Sequence, residues 1–429
     1  MKFAIYTLGC KVNQYESQAM ERELVAKGYE MGHFDEVCDL YIVNTCTVTA
    51  VSDKKSRNLL RRARKLNPDA VIGVCGCYAQ VKPGDMEKLD VDVVGGTGDR
   101  GIFVSRMEQF LQDRRRSVLI DKPFQRREFE VLEPGGLMER TRAMMKVQDG
   151  CVNFCTYCII PYARGALRSL PLTTAVKQAE KLRADGYREV VLTGIEISSW
   201  GVDLKNGQKP QDLIRAICLA VPEMRVRLGS LEPRTVDEDF CGKLRGLPNL
   251  CPQFHLSLQS GCDATLERMH RKYDTARFLR SCELLRESFP DCAITTDLIV
   301  GFPGETEAEF VTTLEFLKTV GFAAIHIFPY SRRTGTPAAK MPDQISQSEK
   351  ESRAARAAEV EEKLRRDYQA AFVGRIMPVL FEQQNERGAW TGHTVNYILV
   401  EAEGDDLHNQ IRPVRITGQT SAGLVGIAE

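Results

Sequence analysis

Short apolar runs alternate with longer amphipathic stretches over most of the chain, and that alternation restricts the fold to parallel sheets covered by helices. In the first third the runs fall at 3–8, 40–44, 70–74 and 91–95, with stretches of helical length and period at 14–27 and 52–66. A longer series follows, with strand-like runs at 145–149, 190–193, 226–229, 254–258, 294–299 and 324–328. Helical stretches at 173–185, 264–270, 275–288 and 307–320 separate them. Six such units predict an incomplete parallel barrel with its site at the carboxyl ends of the strands. Between the two series, 112–140 is charged and contains Pro123 and Pro134-Gly135-Gly136, the composition of a connector. A charged helical stretch at 346–372 leads into short β-branched runs at 377–381, 397–401 and 411–418, the pattern of a small all-β module. The expected α/β organisation is an open parallel-sheet domain (1–111), a connector (112–140), an incomplete (β/α)6 barrel (141–345), a helical connector (346–373) and an all-β domain (374–429).

No apolar run approaches the roughly 20 residues that cross a bilayer. Met1-Lys2-Phe3-Ala4-Ile5-Tyr6 leads straight into a strand without a signal-peptide layout. A cytoplasmic protein with no membrane partner is expected. Lysine plus arginine equal aspartate plus glutamate at 58 each, so bulk charge points to no particular partner. Lys54, Lys55, Arg57, Arg61, Arg62, Arg64 and Lys65 nevertheless crowd one helical stretch, either a solvated face or a phosphate-binding one.

Fourteen cysteines without a secretory signal argue against a disulfide framework. The tightest cluster is Cys151-Val152-Asn153-Phe154-Cys155-Thr156-Tyr157-Cys158, directly after a strand. Three thiolates with this spacing suit an iron–sulfur cubane with one iron left open; three structural cysteines or a zinc site short of its fourth ligand are the competing readings. Three further cysteines, Cys10, Cys46 and Cys77, each follow a strand of the first domain. The ends of neighbouring parallel strands open on one sheet edge, where ligands bind. Spacing alone leaves open whether these thiols converge or are unrelated core residues.

The spacing C-x3-C-x2-C resembles that of the radical S-adenosylmethionine superfamily. Thr7-Leu8-Gly9-Cys10-Lys11-Val12-Asn13-Gln14, Asn44-Thr45-Cys46-Thr47 and Gly76-Cys77-Tyr78-Ala79-Gln80, in that order before it, resemble the methylthiotransferase family. The resemblance covers essentially the whole chain. It implies two [4Fe–4S] clusters, one on Cys151, Cys155 and Cys158, where S-adenosylmethionine is cleaved to a 5′-deoxyadenosyl radical, and one on Cys10, Cys46 and Cys77. Cys75 competes with Cys77 as third ligand or joins as a fourth; the family pattern favours Cys77, which carries Tyr-Ala-Gln after it. Polar residues recur at the barrel strand ends, and the resemblance makes Gly194, Glu232, Gln259, Arg271 and Tyr157 candidate cofactor contacts. Glu196 stands where many relatives carry His or Asn.

Gly9 to Ser17 and Lys146-Val147-Gln148-Asp149-Gly150-Cys151 resemble the branch acting on N6-threonylcarbamoyladenosine of tRNA at position 37. Branches acting on isopentenyladenosine or on a ribosomal-protein aspartate are the alternatives within the family; a non-catalytic iron–sulfur RNA binder is the alternative from another class. The implied partners are the tRNA anticodon arm and an electron donor such as flavodoxin or ferredoxin. The basic-aromatic segments 269–273 and 329–338 suit phosphate contacts and base stacking at a barrel rim. The tail resembles a TRAM domain, a small RNA-binding β-barrel, yet has four arginines against seven carboxylates. An RNA-facing surface there would draw on Arg387, Trp390, His393, Asn396 and Tyr397.

Overall fold

The computed structural model describes residues 1–136 and 141–429; residues 137–140, the end of the expected connector, lie outside the described residues. Strands Lys2–Thr7, Leu40–Thr45, Val71–Gly76 and Val93–Gly95 form the centre of a wholly parallel six-stranded sheet. Leu40–Thr45 and Val71–Gly76 are buried along their whole length, as strands covered by helices on both faces must be. The sheet's edge strands, Glu30–Met31 and Ser117–Leu119, have no periodicity of their own and exist through pairing with their neighbours. The second lies within the stretch expected to be a connector, so the sheet runs on past residue 111.

The central region divides its strands between two sheets. Arg225–Leu228, Glu189–Gly194, Arg142–Asp149 and Arg168–Ser169 form one, and Ser230–Leu231, Gln253–Leu256, Ala293–Val300 and Ala324–Pro329 the other. The chain passes from one to the other through Gly229, and Val226 bridges to Leu250 across the junction. The result is the incomplete barrel. Along Ala293–Val300 the pleat sends Ala293, Thr295 and Asp297 into the lumen, while Ile294, Leu298 and Val300 pack under the helices.

The helix Gln347–Ala370 then leads to a closed five-stranded barrel, Ile376–Gln384, Trp390–Thr394, Leu399–Glu403, Ile411–Gln419 and Leu424–Ala428. This barrel docks on the amino ends of the central strands. Arg225 donates to the carbonyls of His393 (3.0 Å) and Pro378 (2.9 Å), and Arg227 to that of Val395 (3.0 Å). Arg227 is held by a bidentate pair with Glu189 at 2.8 and 3.0 Å. Burial works against the Glu189 carboxylate, but Arg227 and Arg142 override it and bring its pKa down to about 2. Among the described residues no helix is long and apolar enough to cross a membrane.

Candidate functional site

The three cysteines of the first domain sit where three neighbouring strands end. Cys10 is the N-cap of Lys11–Ala26, Cys46 follows Leu40–Thr45, and Cys77 opens the short helix Cys77–Val81. Polar side chains of the flanking motifs tie the loops together. Asn13 donates to the carbonyls of Leu8 (2.8 Å) and Thr45 (3.0 Å), and Thr45 donates to that of Cys75 (2.5 Å). Gly9, at φ +101°, is required by contact as well as by conformation: a Cβ there would lie 2.7 Å from the Cys46 Cβ and 2.9 Å from its sulfur. Burial pushes the Cys77 thiol up to about 12, with Arg164 acting against it and Cys10 and Cys46 adding smaller contributions.

Cys75 takes the other face. It packs with Phe103, Val104 and Met107 under the opposite helix layer, whereas Cys46 belongs to the core on the far side of the sheet. Burial lifts its thiol to about 11, and the charged groups that act on it most are Arg100, Glu16, Arg164 and Glu130. The pleat thus separates Cys75 from the group that Cys77 joins.

The second cysteine loop leaves the strand Arg142–Asp149 through Gly150, whose Cβ would fall 1.9 Å from the Ala166 carbonyl oxygen. Thr156 anchors it from both sides: its N–H donates to Met269 O (3.1 Å), its hydroxyl to Arg268 O (2.9 Å), and its carbonyl accepts from Ala338 N (2.8 Å). Arg271 donates from Nη1 to the Cys155 sulfur at 3.2 Å. Burial raises the Cys151 and Cys158 thiols to about 12. Free thiols of this kind keep their protons, so loading a cluster would release them.

Among the described residues no three His, Cys, Asp or Glu side chains converge as ligands of a single ion. A polynuclear cluster asks for something different, because its cysteinyl irons are separate atoms and need thiols around a ring. A guanidinium aimed at the Cys155 sulfur and the missing Cβ of Gly9 beside Cys46 both fit such a group. They supply positive charge at one triad and space at the other.

Three of the five candidate cofactor contacts line one of two spaces, and Glu232 and Arg271 line neither. Tyr157, Cys158, Gln259 and Asp297 line a cleft of about 290 Å3 that also reaches Val48 and Thr49, just beyond Cys46. Gly194 instead faces the barrel lumen, a cavity of about 470 Å3 that Cys10 and Lys11 enter from the first domain. The lumen runs from Thr193, Gly194 and Gly229 at strand ends to Gln253, Ala293 and Ala323 at strand starts, and is closed by His393, Asn396 and Tyr397 of the small barrel. Asp297 borders both spaces. Glu232 accepts from Arg234 at 2.9 Å. Glu196, given no role from sequence, accepts from Asn153 of the cysteine loop (3.0 Å), and burial raises its carboxyl to about 7.

Several residues that read as RNA contacts are committed elsewhere. Trp390 and Asn396 are buried, and the Tyr397 ring stacks with His393 (4.4 Å) and meets the guanidinium groups of Arg227 (4.6 Å) and Arg142 (5.2 Å). Of the expected RNA-facing residues, His393, Asn396 and Tyr397 line the lumen, Trp390 packs in the core of the small barrel, and Arg387 is exposed and paired with Glu401 (3.0 Å). In the segment 269–273, Arg271 points inward to Cys155, and in 329–338 the buried Arg333 pairs with Asp53 (2.7 Å) beside the Cys46 loop. A strand-end position and a run of cations look alike in sequence whether they face solvent or a buried carboxylate.

This barrel and its three-cysteine loop define a class. Residues 145–317 match the radical SAM superfamily, and residues 2–96 match a family described as uncharacterized protein family UPF0004. The fold is like that of the radical S-adenosylmethionine methyltransferase TsrM from Kitasatospora setae, with TM-score 0.58 and 17% identity over 79% of this chain and 76% of that one. The chain is 38% identical to the threonylcarbamoyladenosine tRNA methylthiotransferase MtaB of Bacillus subtilis, over 96% of this chain and 93% of that protein. It is 34% identical to the tRNA-2-methylthio-N(6)-dimethylallyladenosine synthase of Symbiobacterium thermophilum, over 96% and 91%. The chain belongs to the radical S-adenosylmethionine methylthiotransferase family. A [4Fe–4S] cluster and S-adenosylmethionine are the cofactors this membership implies.

Proposed function

We propose that the chain places a methylthio group on C2 of N6-threonylcarbamoyladenosine at tRNA position 37. In this reading Cys151, Cys155 and Cys158 hold the radical cluster and Cys10, Cys46 and Cys77 hold a second [4Fe–4S] cluster. The observation that carries it is that Asp297 lines both the lumen that Cys10 enters and the cleft that Cys158 lines, which brings one cysteine of each triad to adjoining spaces. The 38% identity with the Bacillus subtilis protein over 96% of the chain supports the choice of substrate branch.

When bound at the radical cluster, S-adenosylmethionine supplies the radical chemistry that an aromatic carbon–hydrogen bond requires, since that bond offers no proton to a side-chain base at neutral pH. The protein's share is binding, orientation and shielding. Arg271 holds positive charge against the Cys155 thiolate, and Tyr157, Gln259 and Glu232 frame the cofactor. Gly194 keeps the lumen wall low, where a Cβ would meet Gln148 at 3.0 Å. A flavodoxin or ferredoxin delivers the electron. Nucleoside mass spectrometry of tRNA from a strain lacking the gene tests the reading: N6-threonylcarbamoyladenosine should accumulate without its 2-methylthio form. Loss of the methylthio group from isopentenyladenosine instead would move the chain to the neighbouring branch.

Phosphate binding falls to the helix Ala50–Leu66, with a smaller set of residues than its charge suggests. Arg64 is spent inside its own domain, donating to Pro68 O (2.9 Å), Ala70 O (2.8 Å), Asp90 O (3.0 Å) and Asp92 (2.9 Å). Arg57 donates to the Tyr78 hydroxyl at 2.7 Å, and Arg62 pairs with Asp35 at 2.7 Å. Lys54, Arg61 and Lys65 are exposed and have no ion pair among the described residues. Replacing these three with alanine should weaken tRNA binding and flatten its salt dependence by roughly 0.7–0.9 of a log–log unit for each phosphate the helix no longer neutralises. Arg64→Ala should leave the slope alone and destabilise the domain. Binding curves over a salt series separate the two; an unchanged slope in the triple variant would remove the helix from the interface.

A further inference from the structure

Among the described residues that line the lumen, Lys11 is a cation without an ion pair. Of the lumen's other charged and titratable groups, Arg365 is taken by Glu361 (3.3 Å) and the Ser421 carbonyl (3.0 Å). His255 is taken by Thr295 (3.1 Å) and Asp297 (3.4 Å), and His393 by Glu382 (2.6 Å). His326 lies against His255, ring centroids 6.0 Å apart. Lys11 lines the same cavity, its side chain open to the lumen, and has no hydrogen bond or ion pair among the described residues. Nothing local explains a lysine there. It occupies the first position of the helix Lys11–Ala26, where the helix dipole opposes a cation, and the first turn has no acidic residue to offset it. The nearby carboxylates are already paired, Asp297 with His255 and Glu189 with Arg142 and Arg227, and an ammonium left without an ion pair of its own is costly once a ligand displaces its water, so a site of this kind fits an anionic ligand.

We infer that Lys11 is the specificity-determining residue for the substituent on the target base, receiving the carboxylate of an amino acid attached at N6. This rests on the proposed reading of the substrate as N6-threonylcarbamoyladenosine. The chemistry of the base places the groups together. C2 and C6 of adenine flank the same ring nitrogen, so a base that presents C2 to the Cys10, Cys46 and Cys77 triad carries its N6 substituent along the same edge. Lys11 is the residue after Cys10, and the lumen of about 470 Å3 beside it is of the size that holds small ligands. A substituent that is purely hydrocarbon would leave the ammonium unpaired; a carboxylate completes it.

Binding to anticodon stem-loops that differ only at nucleotide 37 tests this with the full-length, cluster-reconstituted protein. Three RNAs are compared by fluorescence anisotropy, carrying N6-threonylcarbamoyladenosine, its neutral methyl ester, or isopentenyladenosine. The unaltered protein should prefer the free carboxylate over the ester by roughly 10- to 100-fold, the range of a charge-assisted hydrogen bond. Lys11→Met should erase that preference while binding the ester as before, and Lys11→Arg should retain most of it; iron content and circular dichroism report that each variant is folded. A preference that survives in Lys11→Met overturns the inference, and so does an equal loss of affinity for all three RNAs, which would make Lys11 a phosphate contact. If the unaltered protein itself favours the isopentenyl RNA, the substrate reading fails and the inference with it.

Discussion

Cys46→Ala protein is expected to hold about half the iron of the reconstituted parent, to release 5′-deoxyadenosine from S-adenosylmethionine, and to leave tRNA without a methylthio group. The separation follows from where the two triads sit. Cys46 lies at the end of Leu40–Thr45 in the first domain, while the loop with Cys155 is held by Met269, Arg271 and Ala338 of the barrel. Removing one thiol of the first triad disturbs none of those anchors. Cys155→Ala should behave in the opposite sense, losing 5′-deoxyadenosine release and transfer together. Cys75→Ala is the informative control. Its sulfur packs against Phe103 and Met107 on the other face of the sheet, so this variant should keep its full iron content and most of its transfer activity. Iron quantification decides the assignment: if Cys75→Ala loses iron and Cys77→Ala keeps it, the third ligand has been misplaced.

The choice between those two cysteines marks how far the sequence could be read. Strand–helix alternation is legible because buried parallel strands are continuous apolar runs, and parallel topology makes convergence of three strand-end cysteines possible, while the choice over unrelated core thiols comes from the family resemblance. Which of Cys75 and Cys77 faces the site depends on the pleat and on the residue where Val71–Gly76 stops, a boundary that composition does not mark. Glu30–Met31 and Ser117–Leu119 were illegible because their strand character comes from the neighbour they pair with. Cations fare worst. Arg61 and Arg64 lie one helical turn apart in the same basic run, yet Arg61 is exposed and Arg64 clamps a loop through Asp90 and Asp92. Partners such as Glu16 and Arg164, separated by 148 positions in the chain, leave no trace in a single sequence.

Glu16→Gln is expected to loosen the junction between the first domain and the barrel by about 3–5 kcal/mol, the cost of breaking a buried ion pair by removing one partner. Glu16 is fully buried where the two parts meet. It accepts from Arg100 at 2.6 Å, from Lys146 at 3.2 Å and from Arg164 at 3.2 Å through its second guanidinium nitrogen, and Arg164 also donates to Asn13 at 2.7 Å. Asp149, 3.5 Å from Arg164 and 3.4 Å from Arg168, is the other buried carboxylate in the network. Four cations thus share two carboxylates, and neutralising Glu16 takes from Arg100 its ion-pair partner and leaves Lys146 and Arg164 to share Asp149 with Arg168. Arg164 stands six residues after Cys158 and also faces the Cys77 thiol, so the same network sets the spacing of the two cysteine triads. Opening of this junction is read by hydrogen exchange in Arg142–Asp149 and Ile160–Arg164, which should accelerate by about two to nearly four orders of magnitude. Acidity should reproduce the effect in the unaltered protein. Burial acts to raise the Glu16 carboxyl, but Arg100, Arg164 and Lys146 together hold it well below its ordinary value. A depressed carboxylate stabilises fully above its unfolded pKa of about 4.3 and loses that contribution as pH falls toward its folded value. Exchange at the junction should therefore be steady from neutrality to about pH 5, then rise below about pH 4, with a smaller rise in Glu16→Gln because its largest titrating group is gone. Equal acid sensitivity in the two proteins would show that other carboxylates, Glu189 among them, govern the junction instead.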